Sequence, residues 1–358
     1  MTDGAVASLT TALAQNPAGW PEEVLPLFER AMTVEYASLT RAGTPVTYPV
    51  TPYVGDDGLT LDVSTGLTYP AKAERARRNP KVALLYSDSL GTGLDAAPVV
   101  LVQGFATVRD ADLQANTDRY VRLAMAKFPE AYGSQPKFML RSLAWYFARI
   151  WVRVTPTRIL WWPEGRVGET PREWTAPEGT DAPPSDPAPP GKQPAAWLEQ
   201  PPEWRQAAEQ AAREFPFRDL TFVGTDGFPV CLPVGEISPV PPGFRLRAAR
   251  GPGKAPEGAA CLTFHTHAPD GPAQQNRAVV GRISPTDEGT LVFEVERLLG
   301  NWNVSQNRLG FMFDFMFLKG RRLRPRLKAE SARRGQPVPQ VHLPGETTSA
   351  PSGSSRLA

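Results

Sequence analysis

Residues Asp57 to Ser87 read DGLTLDVSTGLTYPAKAERARRNPKVALLYS, and the order of their local signals decides the architecture. Gly58 opens an alternating strand, with Leu59, Leu61 and Val63 on one side and Thr60, Asp62 and Ser64 on the other. The turn Ser64-Thr65-Gly66 follows. Thr68-Tyr69-Pro70 then marks a helix start, because proline is tolerated in a first helical turn. The helix carries Lys72, Arg75, Arg77 and Arg78. It ends before Asn79-Pro80, since a proline disfavours helix in the residue before it. A second apolar strand, Val82 to Tyr86, leaves at once. Strand, hydroxyl-rich turn, basic helix, strand is the makeup of an anion cradle. The helix start offers free N–H groups and the positive end of a dipole, and Thr and Lys side chains complete the site. The competing reading is a surface helix with solvated basic side chains.

Outward from this stretch, residues 1–34 read as short helices, the second beginning near Pro21-Glu22-Glu23. Residues 35–165 form a first β domain. Its strands are Ala37–Arg41, Thr44–Pro52, the DGLTLDV strand, Val82–Tyr86, Val99–Val108, Ile150–Val154 and Arg158–Trp162, and Gly104 marks a bulge. Helical insertions at Ala111–Phe128 and Phe138–Phe147 pack over the barrel end. Residues 166–196 form a linker whose middle, APEGTDAPPSDPAPPGKQP, is too proline-rich to build a core. A second domain, 197–320, opens with a helix and continues as short strands. Residues 321–358 are first basic, then Ser/Gly/Pro-rich, and are expected to be a disordered tail.

The two β domains read as a distant repeat. GTPVTYPVTPYVGDDGLTLDV has a counterpart in DGFPVCLPVGEISPVPPGFRLRA, PKVALLYSD in GAACLTFHT, and VVLVQGFATVRDAD in RAVVGRISPTDEG. Where the first copy has the basic helix, the second has only RGPGKAPEG. The fold expected is mainly β with α additions: two tandem β-barrels and short helices at the barrel ends.

Totals agree with this plan. A chain of 358 residues suits two domains, and 39 prolines with 30 glycines imply many loops. The net charge of +2 does not call for nucleic acid. Cys231 and Cys261 give neither a disulfide framework nor a metal spacing. The N-terminal residues lack a basic n-region and no run is long enough to span a membrane, so the expectation is a soluble, cytoplasmic protein.

Gly43-x-Pro45, then DGLTLDVSTGLTYPAKAERARRNPKVALLYSD, VLVQGFATV and RIWVRVTPTRILWWPEG together resemble the split β-barrel flavin-binding superfamily. That superfamily includes pyridoxamine 5′-phosphate oxidase-like proteins and flavin/deazaflavin oxidoreductases. The resemblance implies a tandem pseudo-dimer, monomeric or paired again as a homodimer, with one cofactor site facing the second barrel. It implies an oxidoreductase that uses FMN, or the deazaflavin F420, to move hydride to or from a small organic substrate. Carried over, Val63, Ser64 and Thr65 lie beside the ring system and ribityl chain. Thr65, Thr68 and Lys72 hold the phosphate, helped by Arg75. Gln103 makes a polar contact to the ring, and Pro49 and Thr51 line the same face. Arg308, within NWNVSQNRLG, is similar to a C-terminal segment lying near the cofactor. No catalytic acid or base stands out. Lys254 is the only trace of the cradle in the second copy.

Two alternatives share the fold: a non-catalytic cofactor carrier, sensor or regulator, and a haem-handling barrel using His265 or His267. Cys261, Thr263, His265 and His267 share strand parity and so one face. No carboxylate or third histidine stands at a convincing ligand spacing from them, so no metal site is expected. The basic run KGRRLRPRLK is read as solvated rather than as a nucleic-acid or lipid contact, and Trp161-Trp162 as core.

Overall fold

In the computed structural model the described residues are 15–192, 204–253, 255–269, 274–286, 290–303 and 319–345. A short helix α1 (Leu25–Arg30) precedes strands β1 (Val34–Leu39), β2 (Pro45–Val50), β3 (Pro52–Val54) and β4 (Leu61–Gly66). Helix α2 (Ala71–Arg78) is the basic helix, starting just after the expected Pro70. Strands β5 (Lys81–Tyr86) and β6 (Val99–Arg109) follow. Next come helices α3 (Leu113–Lys127), α4 (Pro129–Gly133), α5 (Lys137–Arg141) and α6 (Ala144–Phe147). The two strands expected over 150–162 are one, β7 (Arg149–Trp162). The sheet order is β2-β1-β5-β6-β7-β4-β3. Only Thr51 separates β2 from β3, so the two edges of the sheet belong to one bent stretch of chain and the sheet must curl round on itself.

The linker is ordered where it is described. Strand β8 (Arg172–Thr175) pairs with β7, and Asp186 accepts from the backbone amides of Asp110 and Ala111 at 2.7 and 2.8 Å. The second half comprises helix α7 (Trp204–Glu214) and strands β9 (Phe217–Val223), β10 (Pro229–Val240), β11 (Gly243–Ala248), β12 (Gly258–Thr266), β13 (Gln275–Pro285) and β14 (Leu291–Asn303). These strands form a closed barrel in the order β10-β11-β14-β13-β12-β9.

The halves share one topology. The continuous strand β10 takes the place of β2 and β3, β9 that of β1, and β11 to β14 those of β4 to β7. Register carries this down to residues. Pro45-Val46-Thr47-Tyr48-Pro49-Val50 matches Pro229-Val230-Cys231-Leu232-Pro233-Val234, and Leu39 faces Pro45 as Val223 faces Pro229. The two halves meet through these equivalent strands. β2 packs on β12, β13 and β9, and β10 packs on β5, β6 and β1. Such reciprocal contact is the mark of a two-fold interface, here within one chain. The interface is largely apolar, joining Ala37, Ala83 and Leu85 to Leu220, Leu262 and Phe264.

The expected bulge lies between Gln103 and Gly104. A Cβ on Gly104 would stand 2.3 Å from the Thr155 carbonyl oxygen and 3.0 Å from the Pro156 Cα. Both atoms are backbone of the neighbouring strand, so nothing flexible can give way. Gly104→Ala should cost about 1–3 kcal/mol, read as a lowered denaturant midpoint with unchanged slope.

The C-terminal expectation needs correction. Residues expected to be a disordered basic tail form helix α8 (Gly320–Arg333) and an extended segment reaching 345. Leu323 and Leu327, one helical turn apart, are buried in the first half's core with Val341 and Leu343. Arg333 at the end of this helix and Arg334 just past it are held by first-half carboxylates, Glu74 and Asp110, which sequence proximity conceals, while Arg321, Arg322 and Arg324 are exposed. Among the described residues no helix is long and apolar enough to cross a membrane.

Candidate functional site

Strand register builds the expected cradle and adds a member to it. β4 runs antiparallel to the start of β7, setting Thr65 opposite Ile150 and Gly66 opposite Arg149. Arg149 therefore reaches the hydroxyl-rich turn. Its Nη1 stands 2.9 Å from where a Cβ on Gly66 would be, so a side chain there would collide with the guanidinium. Arg149 lies over the rings of Tyr120 and Tyr146, 4.1 and 4.7 Å from their centroids. It also donates through Nη2 to the Tyr120 hydroxyl at 2.9 Å. Across the turn, Lys72 and Arg75 both lie over the Tyr48 ring, 5.2 and 5.9 Å from its centroid. Arg75 Nε donates to Ser38 Oγ at 3.0 Å, and Thr65 Oγ1 donates to the Tyr69 carbonyl at 2.9 Å, pinning the turn before α2.

Among the described residues no carboxylate pairs with Lys72, Arg75 or Arg149. Burial, with repulsion from Arg75 and Arg149, pushes the Lys72 ammonium down to about 7. Burial also lowers Arg75 from its ordinary value. Three buried polar atoms point to the same want: Thr68 Oγ1, Arg75 Nη2 and Arg149 Nε have no hydrogen-bond partner. Helix α2 has no side-chain cap on its first amides. Clustered cations, unspent donors and an open helix start are complementary to one thing, an anion.

The other expected residues are placed as follows. Val63 is a core residue of β4 and Ser64 is its half-buried neighbour. Thr51 occupies the bend between β2 and β3. Gln103 stands at the joint between the halves, where its amide donates to the Pro229 carbonyl at 2.9 Å and its Oε1 is left without a partner. No hydrogen bond links it to the cradle. Arg308 and Lys254 lie outside the described residues. Sequence reading missed Arg149 and Tyr48. A basic residue at the head of a strand able to pair with STG was the available signal for the first.

A second polar cluster lies between the halves. The shared face of β12 meets the first half: Thr263 Oγ1 donates to the Thr47 carbonyl at 3.3 Å. His265 Nε2 lies 2.6 Å from Glu35 Oε1 and 3.6 Å from Asp219 Oδ2. Equal register makes Glu35 of β1 the counterpart of Asp219 of β9, and Ser87 the counterpart of His265. The cluster thus sits on the pseudo-two-fold axis. Burial would lower the His265 imidazole, but its hydrogen bond to Glu35 and the negative charges of Glu35 and Asp219, the latter at 3.6 Å and beyond hydrogen-bond reach, outweigh burial and raise it. Burial and the Glu35 charge raise the Asp219 carboxyl. Beside them His267 meets Asp88 through Nε2 and the Ala268 carbonyl through Nδ1.

No family model matches the chain, and no curated protein matches it. Solved structures do resemble it. General stress protein 26 from Bacillus anthracis is similar at 14% identity and a TM-score of 0.26, over 48% of this chain and 98% of its own. A pyridoxamine 5′-phosphate oxidase-related, FMN-binding protein from Nostoc punctiforme is similar at 15% identity and a TM-score of 0.28, over 47% of this chain and 88% of its own. An F420 reductase is similar at 16% identity and a TM-score of 0.29, over 39% of this chain and 98% of its own.

Proposed function

We propose that the chain binds a phosphorylated flavin-type cofactor, FMN or the deazaflavin F420, and serves as an oxidoreductase toward a small organic substrate. One observation carries the reading: Lys72, Arg75 and Arg149 gather at the start of α2 with no carboxylate among the described residues to neutralise them, while Thr68 Oγ1, Arg75 Nη2 and Arg149 Nε are buried and unspent. The order of motifs around the cradle, which resembles the split-barrel flavin superfamily, adds the cofactor class. A bound flavin supplies hydride chemistry at its ring. The chain's own task is to hold the phosphate. Lys72 offers charge, Arg75 and Arg149 offer guanidinium donors, and Thr68 offers an unspent hydroxyl, whereas the Thr65 hydroxyl hydrogen is spent on the Tyr69 carbonyl and shapes the turn instead.

The test is reconstitution of the purified full chain with FMN and with F420, followed by absorption spectra and the mass of any released cofactor. Binding of neither overturns the reading. Binding without turnover of reduced nicotinamide or reduced deazaflavin assigns the chain to the carriers.

Affinity should also depend on pH with a defined sign. Lys72 in the empty cradle loses its proton near pH 7. A bound phosphate favours the ammonium form, so binding above pH 7 takes up a proton. FMN affinity should therefore fall as pH rises from 7 towards 9, approaching tenfold per unit and totalling roughly 10–100-fold. Fluorescence titration at each pH measures it, and a flat profile places the phosphate away from Lys72.

A further inference from the structure

We propose that Glu35, Asp219 and His265 form a binding site for one divalent transition-metal ion, Zn2+ being the best fit, that fastens the two halves together on their pseudo-two-fold axis. The site is incomplete in either half alone: Glu35 comes from β1, and Asp219 and His265 come from β9 and β12. All three side chains have no solvent exposure. One ligand atom from each lies within 4.8 Å of the other two.

Donor set and geometry both suit such an ion. Imidazole nitrogen with two carboxylate oxygens is a common zinc donor set, with bonds of about 2.0–2.2 Å. A tetrahedral ion with such bonds sets its donors about 3.3–3.4 Å apart. The His265–Asp219 pair, at 3.6 Å, already has nearly that spacing. The His265–Glu35 pair, at 2.6 Å, must open by less than an ångström. The second carboxylate oxygen of Glu35 is held by Ser87 Oγ at 3.1 Å, an outer contact of the kind that orients a ligating carboxylate. The ring of His265 is fixed by stacking on Phe217, with centroids 5.1 Å apart.

A second, independent observation comes from Asp219. Both of its carboxylate oxygens lack a hydrogen-bond partner although the side chain is wholly enclosed. Buried carboxylates are paired, hydrogen-bonded or metal-bound. With a divalent cation the two carboxylates and a neutral imidazole sum to zero charge, and the orphaned oxygens gain a partner. Without one, the cluster holds two carboxylates against at most one imidazolium. A metal joining Glu35 of β1 to Asp219 of β9 and His265 of β12 adds to an interface otherwise made of apolar packing and a few hydrogen bonds, such as Thr47–Thr221 at 2.7 Å and Gln103–Pro229 at 2.9 Å.

The experiment is elemental analysis of the full chain expressed with Zn2+ in the medium and freed of loose metal by gel filtration. The expected result is close to one zinc per chain, falling at least tenfold in Asp219→Asn and in His265→Gln. Circular dichroism checks that these variants fold. If they do not, wild-type protein from metal-depleted medium serves instead, and its unfolding midpoint should rise on refolding with Zn2+. A metal-free wild type whose midpoint ignores Zn2+ overturns the proposal and leaves a proton-bridged cluster. Zinc retained in both folded variants overturns it as well.

Discussion

Lys72→Met should weaken FMN binding by roughly 10–100-fold while making the empty protein more stable, two effects of opposite sign from one side chain. The loss follows from removing a charge-assisted contact to phosphate, about 1.5–3 kcal/mol. Riboflavin, which lacks the phosphate, isolates the cause: its affinity should hardly change, so the FMN preference of the wild type should largely vanish. The gain in stability follows from the repulsion that the ammonium suffers beside Arg75 and Arg149 in a site of low solvation. Its proton is held more weakly in the folded protein, near pH 7, than in the unfolded chain. A depressed lysine destabilises the fold fully below its folded value, and the cost fades as pH rises from there to the unfolded value near 10.4. Lys72→Met should therefore gain most at pH 7 or below, roughly 1–3 kcal/mol after allowance for the amine's partial solvent contact, and almost nothing at pH 10. Unfolding curves at both pH values check this. A variant that loses FMN and riboflavin alike, or one that loses stability, marks Lys72 as a packing residue.

Much of this architecture was legible because the repeat is written into short strands. P-V-x-x-P-V occurs in both halves, and the strand before each copy carries a single acidic residue, Glu35 in VEYASL and Asp219 in FRDLTFV. Gly104 announced its bulge, and the prolines and glycines around α2 fixed the helix within a residue or two. What escaped was long-range pairing. Arg149 joins the cradle only through the register of β4 on β7, a relation between positions 83 apart that no local pattern contains. His265 finds its carboxylates on two other strands, one of them in the other half, so neighbouring sequence offered no ligand set. The fate of α8 was hidden for the same reason. The arginine-dense run itself is exposed at Arg321, Arg322 and Arg324 as it reads, but the leucines between them are buried, and the carboxylates that anchor Arg333 and Arg334 lie far away in sequence.

Arg334→Ala should cost the fold about 3–5 kcal/mol, because it strips the centre from a buried ionic lattice and leaves its anions unmatched. Arg334, just past the end of α8, donates to Asp110 Oδ2 at 2.8 Å, Glu330 Oε2 at 2.5 Å and Glu74 Oε1 at 3.2 Å. Arg77 holds Asp110 at 2.9 Å, and Arg333 holds Glu330 and Glu74 at 2.9 and 3.2 Å. Arg334, Glu330 and Asp110 are each only 3% exposed, so water cannot take over. Three carboxylates and three guanidiniums balance in the native lattice; the variant keeps three carboxylates and two. Removing a whole ion pair costs less than stranding half of one, so Arg334→Met with Asp110→Leu should recover much of the loss, and a double-mutant cycle measures the coupling. The consequence extends to the cradle, since Glu74 and Arg77 belong to α2 itself. The C-terminal helix thereby braces the element that presents Lys72 and Arg75. Arg334→Ala should weaken FMN binding although it lies outside the cradle, by no more than about tenfold and through faster release of the ligand. Equal stability of Arg334→Ala and wild type in urea would refute the lattice as a structural element, and unchanged FMN release would separate α8 from the cradle.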